Sequence, residues 1–144
     1  MTRSRQLLCI FFGLVALVAL FATWSQNLTY SGNAVTIFTT FWSDTKVNAA
    51  SRSITVDIGL FLLAATAFMV TEARRLKVRF VWAYVILGIL VAISVTFPLF
   101  MIAREVRLER AKGSDASLAL TASDLIGLAL TTGFILTMVW FTLR

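Results

Sequence analysis

The sequence predicts an all-α membrane protein, a bundle of four transmembrane helices with a short interfacial helix in its first loop. Three observations predict this class. The 144 residues are 59% hydrophobic and 14% charged, with a mean hydropathy of +0.88. A soluble domain carries roughly 25% charged residues, so this chain has too few to cover a water-exposed surface. The apolar residues gather in four runs long enough to cross a bilayer. The basic residues flank those runs, as headgroup-facing anchors do.

That placement also disposes of nucleic acid as a partner, although the net charge is +6 and the pI near 10.5. Membrane lipids are the expected partners, together with other membrane-protein subunits or further copies of the chain. The length suits a single integral-membrane domain over residues 1–144. One cysteine, Cys9, forbids an internal disulfide, and histidine is absent. The commonest metal ligand and general base is therefore missing, and no cofactor, metal or catalytic residue is expected.

The first span runs from Leu7 to about Trp24, behind Arg3 and Arg5. It is longer than a signal-peptide core and has no A-x-A cleavage site, so it reads as an uncleaved helix. Gly13, Ala16, Ala19 and Thr23 form a thin face that a neighbouring helix can approach closely. In the loop that follows, Val35, Phe38, Phe41 and Trp42 recur as an apolar stripe. Residues 35–42 are expected to lie as a short helix in the membrane interface, or else as a loop over the bundle mouth.

The second span covers Ile54 to Thr71. Asp57 falls in its first turn, where a carboxylate suits free N–H groups and the helix dipole. The alternative role is a protonatable or cation-binding acid at the mouth of the bundle. Glu72, Arg74, Arg75, Lys77 and Arg79 then make a polar hinge, the expected cytoplasmic anchor.

The third span is expected over residues 80–103. Pro98 should strip the Ser94 carbonyl of its helical partner and kink the helix. The kink is expected in the same half of the bilayer as Asp57, where the two could meet, with Arg104 as a partner for either. The mixed-charge connector from Arg104 to Ser117 reads as a solvated helical extension. The fourth span is expected over 118–143, with Asp124 in a capping sequence and small-residue rows through Ser123, Gly127 and Thr131.

Four crossings place both termini and the hinge on the cytoplasmic side. They place Lys46, Arg52, Arg104, Arg107, Arg110 and Lys112 outside, a margin of only seven cations to six. The halves also echo each other faintly, Asp57-Ile58-Gly59-Leu60 against Asp124-Leu125-Ile126-Gly127-Leu128. A duplication would put both acids at one depth.

Asp57, the hinge Glu72-Ala73-Arg74-Arg75-Leu76, Ser94, Pro98-Leu99-Phe100 and Arg104-Glu105 together resemble a family of small bacterial membrane proteins, domain of unknown function 2834. The resemblance covers roughly residues 7–109. It implies a bacterial inner-membrane protein and no particular activity, and the fourth span is an addition to the family pattern.

The expected function is that of a non-catalytic accessory or scaffold subunit in a membrane complex. The alternative is a small oligomeric transporter or proton or cation pathway using Asp57 and Asp124. A membrane enzyme is the third reading, and no pair of acids or bases here has a spacing that calls for catalysis.

Overall fold

The computed structural model describes residues 2–111 and positions 122, 126, 129, 130, 133 and 137. The described residues are helical with no strand, and three stretches are long and apolar enough to cross a membrane. Helix α1 is Arg3–Asn27, α2 Ala34–Asp44, α3 Ala49–Leu76, α4 Val81–Leu87 and α5 Ile93–Arg110. A π-helical turn, Gly88–Ala92, joins α4 to α5. Of the expected fourth span, those six positions are described and are helical, whereas Asp124 and the row Ser123, Gly127 and Thr131 lie outside the described residues.

Helices α1 and α3 are rods of 25 and 28 residues. At a rise of 1.5 Å per residue they are about 37 and 42 Å long, more than the ~30 Å hydrocarbon layer. Each starts earlier than the apolar run alone suggests because a polar side chain caps it. The Thr2 hydroxyl accepts from the Arg5 N–H, and the Asn48 side chain accepts from the Ser51 N–H at 2.9 Å. Helix α2 confirms that residues 35–42 are helical, with Asn33 as its cap.

The cap at Asn48 corrects the reading of Asp57. Eight residues into α3 and solvent-exposed, Asp57 is far beyond the first turn, so it caps nothing. Ser51, Arg52 and Ser53 carry the helix two turns further because nothing in them opposes it once Asn48 has satisfied the opening N–H groups.

The third apolar stretch does not run straight. On one continuous helix Tyr84 and Phe100 would sit about 24 Å apart, yet their ring centroids are 5.7 Å apart. A Cβ on Gly88 would lie 2.9 Å from the Thr96 hydroxyl oxygen. The chain therefore reverses about Ala92, whose backbone is extended (φ −178°, ψ 138°). Helices α4 and α5 form an antiparallel hairpin. Residues 81–92 reach about 18 Å from the hinge before turning back, short of a full crossing.

This corrects the expected single rod over 80–103. The helix breaks at Ala92, not at Pro98, which is buried within α5 five residues after its start. Pro98 lies past the first turn of α5, so the Ser94 carbonyl within that helix lacks its usual N–H partner, and the helix runs on beyond the gap. Gly88 allows the close approach of the two limbs.

Helix α5 is central. It runs parallel to α3, with Phe97 against Phe61 and Phe68, and Phe100 against Phe68. Helix α1 packs against its other side, antiparallel, with Arg5 beside Glu105. The core is Ala65, Met69 and Ala73 from α3, Val81 and Val85 from α4, and Ile93 and Phe100 from α5. Spacings of four on α3 and α4 put each set on one helix face. On α1, Ala16 is buried as the small-residue face requires, whereas a Cβ on Gly13 would meet nothing within 4 Å.

Candidate functional site

Because the hairpin doubles back, the end of α5 returns to the end of α3 and the start of α1. Six charged side chains meet there. Glu72, on the last turns of α3, receives Arg75 on both oxygens, at 2.7 and 2.8 Å, the i,i+3 pairing that helix geometry favours. Its Oε2 also accepts from the Arg104 Nε at 2.8 Å. Arg104 then donates through Nη1 to Glu105 Oε1 at 2.7 Å. The other oxygen of Glu105 faces Arg5 Nη1 at 3.4 Å, and Arg5 Nε lies 3.7 Å from Glu109.

Three guanidinium groups thus alternate with three carboxylates across three helices. Glu105 is 3% exposed and Arg5 6%, so the middle of the chain is withdrawn from solvent. A buried charge without a partner costs several kcal/mol, and mutual pairing with charge-assisted hydrogen bonds offsets that cost. The cluster fastens the returning limb of the hairpin to both long helices.

Of the residues expected to matter, Glu72, Arg75 and Arg104 come together here. Arg74, Lys77 and Arg79 remain exposed on the hinge. Asp57 stands about 22 Å up α3 from Glu72, so Arg104 is not its partner. Ser94 is exposed in the first turn of α5 and Pro98 is buried, neither in contact with the cluster. Arg5, Glu105 and Glu109 are members that the sequence reading missed. By sequence Arg5 reads as a headgroup anchor, and both glutamates read as parts of a solvated connector. The available signal was local charge matching in Arg104-Glu105 and Glu109, but the partner helices are remote in sequence.

No group of three or more metal-ligating side chains occurs among the described residues, and each carboxylate of the cluster faces arginine. At the opposite end, Tyr30 donates its phenol to Asp44 at 2.8 Å and stacks edge-on against Phe41. That bond holds the phenol above the ordinary tyrosine pKa.

A family profile described as Protein of unknown function DUF2834 matches residues 11–106, about two thirds of the chain. The chain belongs to that family. No curated protein and no solved structure matches it. The DUF2834 segment takes in the hairpin up to the last turn of α5 and the pairs joining Glu72, Arg75, Arg104 and Glu105, while Arg5 and Glu109 fall just outside it.

Proposed function

We propose that this DUF2834 protein is a non-catalytic accessory or scaffold subunit of a membrane assembly, held in a bacterial inner membrane with its basic end in the cytoplasm. One observation carries the reading. The acids that the fold gathers at one place are committed to arginines that join helices, which is a use of charge to fix shape. Catalysis or ion binding needs a carboxylate held ready for something else.

The side follows from the positive-inside rule. With the hairpin doubled back, Arg3, Arg5, Arg74, Arg75, Lys77, Arg79, Arg104, Arg107 and Arg110 share one end. Lys46 and Arg52 are the cations of the other end among the described residues. Nine against two is a far stronger bias than four straight crossings supply. The expectation that both termini share a side rested on counting four crossings. The hairpin removes one of them, and the C-terminus lies outside the described residues.

Affinity purification of the tagged chain in mild detergent tests the proposal. A stoichiometric membrane partner is the expected result, and recovery as a free monomer overturns it.

A pathway reading is favoured by a different observation. The hairpin enters and leaves on one face with non-α backbone at its tip, where Ile89 and Leu90 are exposed among the described residues. Irregular backbone at membrane depth is tolerated where other protein or a water-filled cavity surrounds it. In an oligomer, Asp57 would line such a path. The Asp57→Asn variant should then lose proton or cation flux in liposomes, and unchanged flux removes Asp57 from the mechanism.

A further inference from the structure

We propose that the hinge between α3 and α4 is a binding site for the phosphodiester headgroup of an anionic phospholipid. An open depression lies there, lined by Arg74, Lys77, Arg79, Phe80, Val81 and Trp82 among others. Its three cations are exposed, and none has a carboxylate within ion-pair distance among the described residues. Glu72, on the same helix end, is occupied by Arg75 and Arg104. The cluster of six pairs three cations with three carboxylates, so among the described residues the excess of positive charge at this end falls on the cations outside it.

The hinge is not a loose loop. Lys77 (φ 55°) and Phe80 (φ 59°) both adopt the left-handed conformation, which costs a side-chain-bearing residue about 1 kcal/mol or more. The Val78 N–H donates to the Ala73 carbonyl, and the Ala83 N–H to that of Phe80, each at 2.9 Å. These bonds fix the spacing of the cations around the depression.

The lining decides between a lipid and a soluble phosphate. Phe80 is 81% exposed and Trp82 54%, and Val81 with Ala73 and Ala83 adds an apolar floor. Exposed aromatic rings beside cations suit headgroup depth, with the acyl chains alongside the rings and the phosphodiester against Lys77 and Arg79. A free phosphate would use the cations and leave the rings in water. This inference holds whichever side of the membrane the hinge faces and does not rest on the scaffold reading.

The test is native mass spectrometry of the full chain released from detergent, with phosphatidylglycerol or phosphatidylcholine of matched acyl chains added. Phosphatidylglycerol should be retained and phosphatidylcholine lost. A Lys77→Gln, Arg79→Gln double variant should weaken retention by about thirtyfold, at roughly one charge's worth of attraction each. The Arg107→Gln, Arg110→Gln double variant makes the same change of charge away from the depression and should stay within about twofold of the wild type. Equal retention of both lipids overturns the proposal. So does equal weakening by the two double variants, which would mean a diffuse field in place of a site. Displacement of the lipid by millimolar inorganic phosphate overturns the choice of lipid. Should the hinge double variant fail to fold, Arg74→Gln, at a third exposed cation lining the depression, decides: a loss of about fivefold supports the site, and unchanged retention overturns it.

Discussion

Along α3, Ala65, Met69 and Ala73 are buried, whereas Ile54, Val56, Ile58 and Leu60 on the other half of the same helix are exposed. Both halves are apolar, and composition does not separate them. What separates them is the reach of the hairpin, which covers α3 from the hinge for about 18 Å and then turns back. The two ends differ in the same way. The hinge end gathers six charges into mutual pairs, while Asp57, toward the other end, lies on an exposed helix face with no ion pair among the described residues. Burial in this protein follows the path of one chain reversal, not the distribution of greasy residues.

The sharpest way to break that comparison is a labelling experiment with an all-or-none outcome. In a Cys9→Ser background, single cysteines are placed at Val78, Ala111 and Gly32. A reagent that cannot enter cells should treat positions 78 and 111 alike and position 32 oppositely. A straight third span would instead make 111 behave like 32, and that result would end the hairpin account.

Stability provides the next contrast. Glu105→Ala removes the carboxylate that lies between the Arg5 and Arg104 guanidinium groups at a nearly sealed position and should cost about 3 kcal/mol or more. Asp57→Ala, on the exposed half of α3, should change stability by no more than about 0.5 kcal/mol. Denaturant titration in detergent measures both, and equal effects would mean that the ion pairs do not hold the helices together.

Glycines sharpen the comparison on a smaller scale. A methyl group on Gly88 meets the Thr96 hydroxyl at 2.9 Å and the Ile93 side chain at 3.3 Å. Gly88→Ala should therefore cost about 1–2 kcal/mol by overpacking the limbs. Gly13→Ala meets open space and should stabilise α1 by up to about 1 kcal/mol. Denaturant titration reports both signs, and a neutral Gly88→Ala would mean that the limbs stand further apart than a 2.9 Å contact allows.

The smallest effect belongs to the hinge. Phe80→Gly relieves a left-handed conformation, offset by the greater freedom of glycine in the unfolded chain, for a net gain of about 0.5 kcal/mol. A loss of more than about 1 kcal/mol would mean that the exposed Phe80 ring contributes packing of its own.

Much of the fold was legible because much of it is local. Runs of apolar residues mark α1 and the middle of α3, and the stripe Val35, Phe38, Phe41 and Trp42 marks α2. The helix ends were less legible, since Asn48 as a cap competes with Asp57 as one and a sequence window cannot weigh them. Of the candidate site, the Glu72–Arg75 pair lies three residues apart and can be read directly. The Glu72–Arg104 pair, 32 residues apart, cannot.

By itself the sequence determined that this protein is helical, that it belongs in a membrane, and that a basic turn separates its middle apolar stretches. Each of these depends on the transfer of nearby side chains out of water, a quantity that adds along the chain regardless of its path. Only the tertiary structure decided that the third stretch returns to the face it left. Hydropathy has no direction, so one long rod and two half-length limbs bury the same residues in the same lipid. The choice between them rests on Gly88 meeting Thr96, Tyr84 meeting Phe100 and Glu72 meeting Arg104.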